Sequence, residues 1–507
     1  MKFVKYSIWA FGVLISTAHA DISNTEWFKN LLTREYGANV DVQISNDKCS
    51  VTFPEVIITE QIFDNQNHET EASDEPKVIT TNIEPTVTEC KKITNYNTYP
   101  QYSIKLTSLN KLIGQIYNTV GISDVKNISA GNYTETYNFI PELKLVNQRT
   151  WNIDNALFSK TDATTGLKKE IGNLKHAQAS TTINFNQNRA TYAMDSSLNS
   201  LNIALPFFSF SLPSMRQSGK IEYIFPQDSE IDYENIKDDI VNINGSKARS
   251  LAKGITMKSE MLGGLVFDID AASVMQRSNN IFDIKSSTEV KNIYFIGDFV
   301  SPSKQPKNIT IHTFINDLSI SKLEKIVEFY KQNKNIEQSQ LSEQDENRLA
   351  QIAYDIAKKV RFAVKLNVNF TNAAIDANFK VRVVNSYIIG DGKLNVHNLY
   401  NIFPEQKACL SPAKQNSPEC MDFSFMMLQN YLDTTKDNPQ ATMQINEKGV
   451  FVNGKKVGDA IKINFQELLK SRILNQDQAS EQEKIIQNKF VEEEFEDDLL
   501  EDEDFDL

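Results

Sequence analysis

Strict alternation of apolar and polar residues near the centre of the C-terminal half most limits how this chain can fold. Residues 362–370 and 375–383 each place a large apolar residue at nearly every second position, and Thr371-Asn372 separates the two runs. Successive side chains of a strand point to opposite faces, so each run has one apolar and one polar face. A single packed face is typical of antiparallel sheets. The sequence therefore predicts an antiparallel hairpin here.

Strand signals dominate much of the remaining sequence. The stretch 177–300 contains many alternating segments joined by Gly-rich and Asn-rich positions, and 442–452 forms another candidate hairpin followed by Asn453-Gly454. Short strand-then-helix units recur at unequal separations, with helices expected over 109–120, 323–330 and 468–473. The unequal separations argue against a solenoid repeat, because a solenoid repeats at a fixed period.

Two further helices have clear start signals. Asn24 or Thr25 can cap a helix whose apolar residues include Trp27 and Phe28. Ser342 and Asp345 resemble a capping box ahead of a second apolar stripe. We therefore expect an α+β fold made mostly of antiparallel β-sheets with a few amphipathic helices, divided into several domains.

The expected organisation follows the composition along the 507 residues. It consists of a signal peptide (1–20), an N-terminal α+β domain (21–125), a β-rich middle domain (126–335), a C-terminal α+β domain (336–475) and a disordered acidic tail (476–507).

The first 20 residues have the three parts of a secretory signal. Lys2 and Lys5 precede an apolar run over 6–15, and Ala18-His19-Ala20 offers small residues for cleavage after Ala20. The alternative is an uncleaved anchor, although a bilayer span needs roughly 20 apolar residues. We expect a soluble periplasmic or secreted protein with no transmembrane anchor after cleavage.

The net charge of −13 is concentrated at one end of the chain. Eleven acidic residues and no basic ones lie between Glu492 and Asp506, so the rest of the chain is nearly neutral. Without a basic stripe, nucleic acid is not an expected partner. Apolar residues are interspersed with these acids and could form a docking motif for a basic, grooved partner. They are Phe495, Leu499, Leu500, Phe505 and Leu507.

An even number of cysteines fits an oxidising compartment. We predict the neighbour pairs Cys49–Cys90 and Cys409–Cys420, and the two other pairings stay open. A metal site is the alternative, but no CxxC accompanies these cysteines.

A Phe-rich segment is the candidate apolar binding surface, either lining a groove or touching a membrane. The alternative is a buried strand beside a proline bend at Pro206. The candidate residues are Leu205, Phe207, Phe208, Phe210 and Leu212.

Catalytic motifs are missing from the sequence. There is no HExxH, no G-x-S-x-G elbow and no phosphate-binding glycine loop, and Gly390-Asp391-Gly392-Lys393 is interpreted as a turn. Asp268 and Asp270 could hold a divalent ion, but a solvated strand face explains them better. No catalytic residue, metal ligand or cofactor is therefore predicted.

The segment Gly449-Val450-Phe451-Val452-Asn453-Gly454-Lys455 resembles the closing hairpin of the YdgA-like bacterial envelope proteins. The overall order of export segment, β-rich middle and helix before alternating strands is also similar. The resemblance implies an envelope role and supplies no catalytic residues.

Three functions fit these observations. The first is a non-enzymatic exported protein that binds an envelope lipid or protein partner through a broad sheet. The second is a secreted factor that acts on another cell through its tail. The third is a hydrolase whose site is assembled from dispersed residues, such as a histidine with a carboxylate and a hydroxyl.

Overall fold

A computed structural model of the chain describes its structure between residues 24 and 465, with gaps. The described residues are 24–36, 41–45, 48–52, 57–62, 77–82, 86–96, 99–107, 127–161, 168–205, 207–227, 231, 233, 236, 239–261, 263–297, 300–332, 342–409 and 422–465. The predicted signal peptide, the helices expected over 109–120 and 468–473, and the acidic tail lie outside them.

Strands form most of the described structure, as expected. The first four form two separate antiparallel hairpins: β1 (Asp41–Ser45) with β2 (Lys48–Thr52), and β3 (Ile57–Ile62) with β4 (Lys77–Asn82). The next seventeen strands belong to one large antiparallel sheet, in which each strand pairs with the next along the chain.

The strands of the large sheet are longest in its middle. They are β5 (Thr86–Tyr96), β6 (Tyr99–Thr107), β7 (Asn127–Ile140), β8 (Leu145–Thr161), β9 (Lys168–Asn186), β10 (Arg189–Leu205), β11 (Phe208–Ile224), β12 (Ile243–Ser259), β13 (Gly263–Ser278), β14 (Ile281–Ile296), β15 (Asn308–Ser319), β16 (Arg361–Asn369), β17 (Ala374–Val384), β18 (Tyr387–His397), β19 (Gln440–Asn446), β20 (Gly449–Val452) and β21 (Lys455–Gly458).

Among the described residues, helices lie at the start of the chain and after residue 319. They are α1 (Asn24–Tyr36), α2 (Ile320–Gln332), α3 (Glu343–Ala357), α4 (Leu399–Ile402), α5 (Pro404–Ala408) and α6 (Phe423–Gln429). Pro141–Leu143 and Pro302–Lys304 form single 3₁₀ turns.

The first helix packs on strands β6 and β7 of the large sheet. Phe28 is fully buried and stacks on Phe139 of β7, with ring centroids 3.8 Å apart and an interplanar angle of 5°. Trp27 and Leu32 are also buried, so the apolar residues of α1 form its packed side. This confirms the helix expected after Asn24.

Several local predictions are confirmed. The two alternating runs pair as β16 and β17, with Phe362 opposite Val381 and Leu366 opposite Ala377. The Ser342 side chain accepts a hydrogen bond from the backbone N–H of Asp345, as a capping box requires. β19 and β20 form the hairpin expected within 442–452.

The expected domains share the large sheet. Strands β7 to β15 come from the region expected to be the middle domain, while β16 to β21 come from the C-terminal region. β15 and β16 are nevertheless neighbours, with Ile311 opposite Leu366. The mostly antiparallel β character is confirmed, and the division into domains remains a prediction.

Candidate functional site

One face of the large sheet is apolar across strand after strand. Residues that lie directly opposite each other in a ladder share a face. The register therefore follows a row from Ile311 on β15 to Leu366 on β16, Ala377 on β17 and Leu394 on β18. The opposite, polar face presents the intervening side chains, such as Lys365.

The apolar face is covered to different degrees along the sheet. A buried cluster extends from β7 to β14, and another joins the end of β18 to helices α4 and α6. Between them lies a half-exposed region that we call the open apolar face. It consists of Ile311, Ile315, Phe362, Val364, Leu366, Val368, Ala377, Phe379 and Val381.

The open apolar face is uncharged, and none of its nine side chains is fully buried. Ile311 retains 39% of its accessible surface, whereas Ile153 and Leu174 in the neighbouring cluster retain none. A sheet normally buries its apolar face against another layer. This region therefore has the composition of a core, but Ile311 is exposed and the other eight side chains are only partly buried.

Two glycines of β18 extend this face. Gly392 lies opposite Phe379, and Gly390 lies opposite Val381. A Cβ atom added at Gly392 would lie 2.7 Å from Phe379 Cδ2, so the absent side chain leaves space for the ring. The turn expected at 390–393 is therefore wrong: these residues lie inside a strand, where glycine permits close approach.

The Phe-rich segment is divided between the core and a turn. β10 ends at Leu205 and β11 begins at Phe208, so the segment is a hairpin rather than one strand. Leu212 is 7% exposed and belongs to the large cluster, against which Phe210 also packs. Phe207, at the turn, is 68% exposed, and Leu205 and Phe208 are each 40% exposed.

A second apolar turn lies beside the first. Phe208 lies opposite Ser259, and Ser259 lies opposite Gly263. The β10–β11 and β12–β13 turns are therefore neighbours at the same end of the strands. Met261 in the second turn is 86% exposed. The sequence prediction did not include Met261, because only strand pairing brings the two turns together.

Asp268 and Asp270 have protein partners. Asp268 accepts hydrogen bonds from the Gly254 backbone N–H at 2.7 Å and from the Asn292 side chain at 2.7 Å. The Arg249 guanidinium donates two hydrogen bonds to Asp270 and holds the pKa of that carboxyl below its ordinary value. Both carboxylates therefore tie strands together.

Two of the histidines pair with carboxylates. His176 Nδ1 lies 2.7 Å from Asp154 Oδ1, and His397 Nε2 lies 3.0 Å from Asp376 Oδ2. Asp376 also accepts a hydrogen bond from Asn367. A hydrolytic site would need a hydroxyl next to such a pair.

A buried charge on the apolar face was not predicted. Glu135 of β7 is fully buried and accepts a hydrogen bond from Arg149 Nε at 2.5 Å. The Arg149 guanidinium also lies 5.1 Å from the ring centroid of Tyr137. Burial raises the pKa of nearby Tyr192, and the charge of Arg149 partly opposes this increase. Sequence alternation alone would mark position 135 as apolar.

The cysteine side chains that the structure describes are Cys90 and Cys409, and neither is a free thiol. β2, which carries Cys49, lies against β5, which carries Cys90. Cys420 lies outside the described residues, so the predicted pairing stays a prediction.

Within the described ranges, no group of three or more His, Cys, Asp or Glu side chains is placed to hold a metal ion. Across the same ranges, no helix is long and apolar enough to cross a membrane. Comparison with family models, curated proteins and solved structures finds no significant match to this chain. The similarity to YdgA-like envelope proteins thus stays a prediction.

Proposed function

We propose that this chain is an exported, non-enzymatic envelope protein that binds a lipid-like molecule on the open apolar face of its large sheet. The observation that carries the proposal is the half-exposed, uncharged surface contributed by β15, β16 and β17. Contiguous exposed apolar surface of this kind marks an interaction site.

The shape of the surface favours an elongated ligand. The nine residues of β16 extend over about 30 Å at roughly 3.3 Å per residue, and its apolar side chains recur along that length. Gly390 and Gly392 place no side chain above the face next to β17. An acyl chain needs such a smooth, uncharged track and gains free energy from leaving water.

The proposed export and cellular location rest on different observations. The sequence of residues 1–20 supports export, and the four cysteines suit an oxidising compartment. The exposed Phe207 and Met261 lie in turns at the same end of the strands of this sheet, where a lipid or protein partner could first make contact.

The test is titration of the purified full chain with a fluorescent long-chain fatty acid. Ile311→Asn removes an apolar contact at a side chain that is already 39% exposed, so the fold should tolerate it. We expect affinity for the probe to fall about tenfold, the effect of roughly 1.4 kcal/mol of lost apolar contact.

The matched control is His312→Asn, since His312 is the adjacent residue and lies on the opposite face of β15. It should leave affinity for the probe unchanged. Equal binding by both variants, or no binding by the unmodified protein, would overturn the proposal.

A further inference from the structure

A groove rich in cationic side chains lies where β15, β17 and β19 end and where β16 and β18 begin. Its volume is about 950 Å³. We call it the cationic groove and define it by its charged lining residues, four basic and two acidic. These are Arg361, Lys380, Arg382, Lys448, Asp391 and Glu447.

The register places like charges together in this groove. Arg361 of β16 lies directly opposite Arg382 of β17, an arrangement that destabilises a sheet when nothing neutralises it. Arg361 has an ion pair with Asp317, and Lys380 lies opposite Asp391. Arg382 and Lys448 both line the groove and are exposed. An anionic occupant would add counter-charge beside Arg382 and Lys448.

The last part of the described chain passes this groove. Ile388 donates a backbone hydrogen bond to Ile461, and Ile463 donates one to Ser386. Lys462 pairs with Tyr387, two residues before Ile389 in the groove lining. The segment that follows residue 465 therefore starts beside the cationic groove.

The sequence after this point supplies the complementary charge. Residues 492–506 contain eleven acidic residues and no basic residue. The 26 residues between Phe465 and Glu492 could extend over about 90 Å at roughly 3.5 Å per residue, so reach is not a constraint.

We propose that the acidic segment 492–506 docks in the cationic groove of its own chain. Electrostatic attraction between exposed charges provides the recognition, and the short tether raises the local concentration of the segment. The side chains of Arg361, Lys380 and Arg382 lie on the face of the sheet opposite the open apolar face, whereas Phe362 and Val381, which also line the groove, belong to that apolar face. Cross-linking reports only on the charged side chains, so its outcome is separate from that of the lipid titration.

The test is carbodiimide cross-linking of the full-length protein, which joins carboxylates to lysine amines, followed by peptide mass spectrometry. We expect cross-links from 492–506 to Lys380 and Lys448, and these should be lost in high salt because salt screens exposed charges. Lys247 and Lys258, which are exposed on the polar face of β12, serve as internal controls.

Charge-reversal variants test whether the cross-link to Lys448 depends on the charges of the groove. Lys380→Glu with Arg382→Glu should reduce the cross-link to Lys448 about fivefold, whereas Lys247→Glu with Lys258→Glu should leave it unchanged. A mixture of isotopically labelled and unlabelled protein separates links within a chain from links between chains. Links spread evenly over all lysines, links only between chains, or a Lys448 link that resists charge reversal would each overturn the proposal.

Discussion

Gly392 of β18 lies directly opposite Phe379 of β17, and a Cβ at Gly392 would lie 2.7 Å from Phe379 Cδ2. The aromatic ring occupies the space that a side chain at position 392 would need. Glycine at position 392 therefore lets the Phe379 ring lie against the backbone of β18.

Gly392→Ala should therefore lower the free energy of unfolding by about 1–3 kcal/mol, because the methyl group overpacks the site and displaces the ring. The matched control is Gly219→Ala on β11, where the nearest atom to an added Cβ is the Lys247 oxygen at 3.9 Å. Urea unfolding of both variants measures the difference. Equal stability of the two variants would contradict the close contact.

The Phe-rich hairpin should respond very differently at its two ends. Leu212→Ala removes a side chain that is 7% exposed and should destabilise the protein by about 2–4 kcal/mol. Phe207→Ala removes one that is 68% exposed and should change stability by less than about 0.5 kcal/mol. Thermal unfolding tests the contrast, and a large loss in the Phe207 variant would place that ring in the core.

Replacing only one partner of the ion pair between Glu135 and Arg149 should lower the stability of the protein. Glu135→Leu leaves the half-buried Arg149 without its carboxylate and should cost about 2–3 kcal/mol of stability. Adding Arg149→Met should recover much of that loss, since an apolar pair suits the surroundings. A double-mutant cycle by urea unfolding measures the recovery, and additive losses would argue against coupling.

Acid should weaken the contact between helices α2 and α3. Asp355 of α3 accepts hydrogen bonds from Lys322 of α2 at 2.7 Å and from Lys358 at 2.6 Å, and both hold its pKa far below the ordinary value. A carboxyl with a lowered pKa stabilises the folded state above its unfolded pKa, and the contribution is lost as pH falls toward the folded pKa.

Asp355→Asn should therefore reduce stability at neutral pH and flatten the fall in stability below about pH 4. Urea unfolding between pH 7 and pH 3 measures both effects. Asp195→Asn, at an exposed position of β10, provides the control and should follow the unmodified protein.

Peptide mapping without reduction should recover Cys49 and Cys90 in one linked peptide, since β2 and β5 are neighbours. The second link should join Cys409 to Cys420, which are separated by 11 positions in the sequence. Reduction should lower the melting temperature, because cross-links restrict the unfolded chain. A link between Cys49 and Cys409 would contradict the neighbour pairing.

Local patterns in the sequence determined the elements and their faces. The alternation over 362–383 predicted both the β16–β17 hairpin and its apolar side, because side-chain direction in a strand depends only on position parity. Ser342 and Asp345 marked the start of α3 for a similarly local reason.

Only the tertiary structure decided how those elements combine. Periodicity does not specify which strands pair, so the joining of β15 to β16, the proximity of Phe207 to Met261 and the facing of Arg361 and Arg382 depend on long-range register. The position of Gly392 inside a strand also depends on long-range pairing. Glycine is favoured there because the ring of Phe379, on the neighbouring strand, fills the space that a side chain would need.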